Sequence, residues 1–430
     1  MPRPSPSIER GRPHLRHAGL LAALLTATAL FRMTQNMAVT TLSLLARDDV
    51  HLSATEIGAL GALMGLMVAL VTLFVSRRVP HQQAAVSAAA GMIGLAVSLL
   101  VLAAASSFAV LLAGVLLLGI AGGIAMPGLL NAVVSIRAGE RERVIAVYTV
   151  TLSVSLAVGP LVETLLLSSA GQEVRIPYLA FAALPVVGAG LILAATWRRR
   201  SEGGRAGAAR EEEGELAVDA AGDIASDPPH PAPASAGRRR GGLLSSQSGR
   251  IALVSQLLYA VPFAGITVFG ALVARVGYGA SPARAQLGFT VFFVFSLASR
   301  AVVAWRAPIG RKVGLLWASA ALTAAGLLLL GVGEGQLAYL AAMAMLGVPH
   351  GLTFPIALAL VAESTAVTDL PRANATLLGS TNLTSVIVPL VLGAVIPAVG
   401  YRGMTLVMLG PVAAFALVQF GLRSGPRRAA

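Results

Sequence analysis

Residues 118–134 read LGIAGGIAMPGLLNAVV, and residues 346–362 read LGVPHGLTFPIALALVA. Gly119, Gly123 and Pro127 fall on Gly347, Gly351 and Pro355 at a constant offset of 228. The register persists outward at 229: Arg77 falls on Arg306, Arg143 on Arg372, and GPLV at 159–162 on VPLV at 388–391. Self-similarity in phase over most of a chain means two like-oriented halves built from the same succession of elements.

The composition says where those halves sit. Of 430 residues, 56% are hydrophobic and 12% charged, with a mean hydropathy of +0.79. Soluble domains carry about a quarter charged residues, so this is an integral membrane protein. The net charge of +13 comes from arginines in short loops and one linker, without interleaved aromatics. That pattern is a topology signal and no nucleic-acid footprint. The absence of cysteine excludes disulfides, thiolate chemistry and Cys-based zinc sites. No metal or cofactor is expected, and no phosphate-binding loop supports ATP-driven pumping.

The basic start MPRPSPSIERGRPHLRHAG meets an apolar run longer than the roughly 7–15 residues of a signal-peptide core, so a retained first span is expected. A hydrocarbon core needs roughly 20 apolar residues per helix. That ruler predicts spans at 18–46, 54–76, 83–105, 107–135, 144–169, 176–197, 250–275, 285–305, 312–332, 336–362, 373–398 and 402–422. The expected organisation is an all-α membrane protein with twelve transmembrane helices in two pseudo-symmetric bundles. A tail (1–17), a six-helix bundle (18–198), a disordered linker (199–248), a second bundle (249–424) and a short tail (425–430) follow one another. Placing the N-terminus inside puts Arg77, Arg78, Arg137, Arg141, Arg143, Arg306, Arg311, Lys312 and Arg372 on one side. The positive-inside rule then sets both tails and the linker in the cytoplasm, for a multi-pass protein of the cell membrane. A monomer is expected.

Local motifs carry a family resemblance. In LSATEIGALGALMG (52–65), Ser53 and Glu56 fit a capping box, and Gly58, Gly61 and Gly65 allow close helix packing. TLFVSRRVPHQQ (72–83) keeps Arg77, and AVVAWRAPIGRK (301–312) keeps Arg306, Arg311 and Lys312. SLAVGPLVET (155–164) holds the Gly159–Pro160 pair. With twelve spans in two halves and a long middle loop, the chain resembles the major facilitator superfamily of secondary transporters. It departs from the family's loop between helices 2 and 3, which has an aspartate before the arginine where this chain has Ser76. Ser155, Glu163 and Thr164 replace further glycines of the helix 5 motif that proton-coupled exporters carry. The resemblance implies a binding cavity between the halves, lined by helices 1, 4, 7 and 10 and opening alternately to each side.

Arg32 stands out within TALFRMTQNMAVTT (28–41). It is sixteen residues from Arg16 and from Asp48, about 24 Å of helix each way, too far to snorkel easily. An intramembrane charge faces a protein interior or a water-filled cavity and marks a functional site by default. Gln35 and Asn36 extend the polar stripe. Arg32 either holds an anionic group of the substrate or pairs with Glu163, a candidate proton relay; a structural arginine bound by another helix is the bland alternative. His350 is a second coupling candidate, because histidine titrates near neutral pH. Asn131, Gln256 and Tyr259 are further cavity candidates. Arg300, six residues from Arg306, reads as a structural arginine that snorkels. Glu363 is expected to pair with Arg306 or Arg311 as an inner gate.

The expected function is secondary active transport of a small organic solute, proton-coupled, with efflux by antiport ahead of proton-coupled uptake of an organic anion. No enzyme activity is expected. A membrane-embedded glycosyltransferase using Asp48 and Asp49, or a non-transporting sensor with the linker as output, are the distant alternatives. The partners are the solute, protons and the bilayer, with no nucleic acid.

Overall fold

The computed structural model describes residues 12–135, 141–214, 243–306, 310–366 and 369–424, almost all of them helical, with no strand among the described residues. The first half comprises α1 (Arg12–Leu44), α2 (Ala54–Arg78), α3 (Ala84–Ala103), α4 (Phe108–Ser135), α5 (Arg141–Ser169) and α6 (Arg175–Gly214). The second comprises α7 (Gln247–Leu272), α8 (Pro282–Trp305), α9 (Lys312–Val332), α10 (Gly335–Ser364), α11 (Leu370–Val407) and α12 (Leu409–Ser424). Helices are what such apolar segments must form, since hydrocarbon offers backbone groups no partner outside the segment itself. Ten segments among the described residues are long and apolar enough to cross a membrane. The last of them, Arg372–Leu422, spans 51 residues and breaks at Gly400 (φ 74°), so it supplies two crossings. Polar α1 is not among the ten, but it packs against α5, α6 and α7 inside the bundle.

The connections at 45–53, 104–107, 170–174, 273–281, 333–334 and the Gly400 break lie on one side, called here the turn side. Arg12 and Ser424, the first and last described residues, lie on the other, the terminal side. The repeat is visible at single-residue level on the turn side. α1 ends in a π-helical turn over Leu45–Asp49, and α7 ends in one over Val273–Gly277. Ser53 and Ser281 then cap α2 and α8, accepting from the backbone N–H of Glu56 and Arg284. Glu56 completes the expected capping box around Ser53.

Two boundaries differ from the sequence expectation. α1 begins at Arg12, ahead of residue 18, and α6 continues as helix to Gly214, through residues assigned to the linker. The segment RRRSEGGRAGAAREEEG is dominated by Ala, Arg and Glu, which are strong helix formers even though its sequence carries no apolar stripe. Residues 215–242 of that expected linker and the tail 425–430 lie outside the described residues, as do residues 1–11 of the N-terminal tail.

The halves meet through α2 against α11, α5 against α8, and α1 against α7. Under the repeat α2 corresponds to α8 and α5 to α11, so the first two contacts are one contact made twice. The α2–α11 crossing is tightest on the turn side, where a Cβ on Gly58 would stand 2.3 Å from the Pro389 carbonyl oxygen. Nearby, Thr55 donates to the Gly393 carbonyl at 3.1 Å. A side chain at position 58 must therefore push the halves apart on this side. Gly58→Leu should weaken turn-side closure by about 1–3 kcal/mol, the usual cost of overpacking. Because the chain has no cysteine, Ser43→Cys provides a single thiol to read it. Its labelling by an impermeant maleimide from the turn side should speed up at least several-fold in the Gly58→Leu background.

Candidate functional site

Depth below the turn side can be read from helix positions at 1.5 Å per residue, and the buried polar groups fall into two layers. Arg32, Tyr259 and His350 lie about 18–22 Å below the turn-side ends of α1, α7 and α10, and Ser153, Gln256, Arg300 and Thr353 about 24–27 Å below. Thr41, Gln286 and Glu163 lie only about 5–9 Å below.

In the deeper layer the Arg32 Nη1 donates to Gln35 Oε1 at 3.0 Å, one helical turn on. Gly122 in α4 makes room for that amide, since a Cβ there would stand 2.6 Å from Gln35 Nε2. The Asn36 amide instead turns to α5 and donates to the Leu156 carbonyl at 3.4 Å. Gly159, ahead of Pro160, lets α5 press on α1 beside Arg32, with the Met33 backbone 3.1 Å from a would-be Cβ. In the second half His350 Nδ1 shares a hydrogen bond with the Tyr259 hydroxyl, and its ring stacks on Phe263 at 4.5 Å between centroids. Gln256 donates to Thr381 Oγ1 at 3.2 Å. Of the expected residues, Arg32, Gln256, Tyr259 and His350 share the deeper layer, whereas Gln35 and Asn36 lie about 12–14 Å below the turn side, between the two layers.

Arg300 belongs with them, and its reading as a snorkelling arginine is corrected. Its Nη1 donates to Ser153 Oγ across the halves at 2.9 Å, and its Nη2 points to the His350 carbonyl at 3.4 Å. The reason is directional: side chains lean toward the N-terminus of their helix, and α8 begins on the turn side. Arg300 thus reaches into the bundle and away from the nearer interface. That lean was the signal available in the sequence.

The shallower layer settles Glu163. Thr41 in α1 donates to Glu163 Oε1, and Gln286 Nε2 in α8 donates to Thr41 Oγ1 at 3.3 Å. All three residues are 0% exposed, so the chain α5–α1–α8 is dry and ties the halves together. Glu163 Oε2 and Gln286 Oε1 have no partner. The alternative pairing of Arg32 with Glu163 does not form, since about a turn and a half of helix separates their depths.

Other expected residues lie elsewhere. Asn131 sits about 35 Å below the turn side, near the terminal end of α4 and out of the cavity layer. Glu363 pairs with Lys312 at 2.5 Å, in place of Arg306 or Arg311. Both partners belong to the second half, so the pair cannot latch one half to the other. Arg77, Arg306 and Arg311 are exposed at the terminal side, Arg306 lying over the Trp305 ring. Asp49 pairs with Arg175 at 2.6 Å and Asp48 with Arg275 at 3.2 Å, so each carboxylate already holds a guanidinium.

Two six-helix halves joined by a repeated contact, with polar layers held between them, define a membrane carrier fold. The sequence profile of the Major Facilitator Superfamily matches residues 24–273 and 252–430, and the chain belongs to that family. Its fold is similar to the nucleoside transporter NupG, at 15% identity and a TM-score of 0.68 over 94% of this chain and 99% of that one. It is also similar to a bacterial homologue of the human lysosomal transporter Spinster in an inward-facing, unoccupied conformation (14%, 0.66, 96% of each chain). A POT family transporter in complex with a thioalcohol-conjugated peptide aligns at 10% and 0.68, over 94% of this chain and 96% of that one. No sequence among the curated proteins matches the chain.

The buried Thr41 bond makes a measurable claim. Thr41→Val leaves the Glu163 carboxyl and the Gln286 amide unpartnered and should destabilise the protein by about 1–3 kcal/mol. Thermal unfolding in detergent should show this loss, and Glu163→Leu combined with Thr41→Val should recover most of it. Additive losses in the double variant would mean the bond contributes nothing.

Proposed function

We propose that the chain is a proton-coupled secondary transporter of a small organic solute, working by alternating access as an exporter in the cell membrane with both termini in the cytoplasm. The observation that carries this reading is the dry chain from Glu163 through Thr41 to Gln286. A carboxyl lodged in a contact between the halves changes its access to water whenever they part. Opening the turn side hydrates Glu163 and lets it exchange a proton with that compartment; sealing the side isolates it again. Solute movement through the deeper layer requires the same rocking, so the two events share one motion. The arginine asymmetry supports the orientation, and the Gly159–Pro160 pair in α5 supports antiport.

Proton-coupled uptake of an organic anion is the second reading, favoured by Arg32 having no carboxylate partner. The sign of proton movement separates the two. Proteoliposomes loaded with pyranine would be given phenylphosphonate or ethidium outside. Antiport expels protons and raises the luminal pH, whereas symport lowers it. A rise with either probe is expected, and Glu163→Gln should abolish the rise while leaving probe-for-probe exchange. A fall would replace antiport by symport, and no pH change with either probe would overturn proton coupling.

A further inference from the structure

Arg32 enters the deeper layer from the first half and Arg300 from the second, and the two lean toward each other. α1 begins on the terminal side, so Arg32 tilts toward the depth of Arg300. α8 begins on the turn side, so Arg300 tilts toward the depth of Arg32. The difference of about 9 Å between their backbone depths is thereby narrowed by two long side chains. Each guanidinium lies within the electrostatic reach of the other and of His350.

Their donors are under-used. A guanidinium offers five N–H groups. Arg32 has one protein acceptor, Gln35, and Arg300 has Ser153 and a long contact to a carbonyl. Arg300 Nε is buried without a partner, as are Thr353 Oγ1, His350 Nε2 and Gln256 Oε1 on the neighbouring faces of α10 and α7. No carboxylate forms an ion pair with either arginine among the described residues; the ion pairs found involve Asp48, Asp49 and Glu363. Beside Arg300 stands a wall of rings. Phe263, only half-buried, stacks on His350 at 4.5 Å, on Tyr259 at 5.6 Å and on Phe292 at 6.1 Å between centroids. A narrow cleft runs between Tyr259, Pro262, Phe263, Ile266 and Phe292.

We infer that Arg32 and Arg300 form one anion site shared by the two halves, and that the solute is an organic anion whose acid group bridges them while a flat apolar body lies on the ring wall. This rests on the reading of the chain as a transporter and names its substrate class. Two uncompensated cations in a low-dielectric layer repel each other and favour separation of the halves. An acid group between them replaces that repulsion by charge-assisted, fork-like hydrogen bonds to both. The empty site thus opposes closure around it, and the bound anion promotes it.

Calorimetric binding to the purified full-length chain tests the assignment. The probes are phenylphosphonate, benzoate, benzamide and inorganic phosphate. Phenylphosphonate should bind most tightly, benzoate and phosphate more weakly, and benzamide not measurably. Arg32→Gln and Arg300→Gln should each weaken phenylphosphonate about tenfold to a hundredfold, the range of one charged hydrogen bond lost. Arg300→Lys retains the cation and checks folding; it should bind more weakly than the wild type and more tightly than Arg300→Gln. Wild-type affinity in Arg32→Gln or in either Arg300 variant, benzamide binding equal to benzoate, or no binding of any anion would overturn the shared site. Anion binding without flux in proteoliposomes would leave the site standing and count against transport. Flux indifferent to both arginines would do the reverse.

Discussion

A guanidinium stays charged and cannot be left in hydrocarbon, and the two that this chain holds at mid-depth can be satisfied only between its halves. Much of the architecture follows from that requirement. α1, which carries the polar stripe of Arg32, Gln35 and Asn36, packs against α5, α6 and α7. The small residue at Gly122 and the close approach at Gly159 set Gln35 and α5 around Arg32. Ser153 is supplied by the half that does not contain Arg300. Arg32 is thus met by Gln35 of its own helix and Arg300 by a hydroxyl from the opposite half, and the interface between the halves becomes the polar interior of the molecule.

The internal repeat makes this interface symmetric in backbone but asymmetric in chemistry. The contacts α2–α11 and α5–α8 are copies of each other, as are the π turns and serine caps at the ends of α1 and α7. The side chains that matter are not copied. His350 has Gly122 as its counterpart, and Glu163 lies in a stretch whose other half keeps only the proline and its apolar neighbours. The duplicated frame provides the motion, and the unduplicated residues decide what the motion is coupled to.

Much of the fold was legible in the sequence because span length, arginine placement and repeat register are all local or periodic quantities. Arg32 was legible because a charge remote from both interfaces has few physical readings. What was not legible depended on distant pairing or on direction. Glu163 finds Thr41, 122 positions away, and nothing in either segment names the other. Arg300 looked able to snorkel because its distance to the interface was counted without the tilt of its side chain. Asn131 lay on the right helix at the wrong depth. Glu363 found Lys312, the next residue after one of its expected partners and in the same half, a choice between adjacent cations that spacing alone could not make. The helical extension of α6 was missed because amphipathic patterning was sought where backbone propensity alone sufficed.

The π turn that ends α1 carries two adjacent carboxylates, and they answer to different bodies. Asp49 is held by Arg175 of its own half, Asp48 by Arg275 of the other. Neighbouring residues on a helix point roughly 100° apart, so one loosely wound turn grips both halves like a pin through two plates. Any relative rotation of the halves must be absorbed there, by rewinding the turn or by releasing Asp48 alone. Mechanically, the end of α1 belongs to neither half; it is the joint on which they bear.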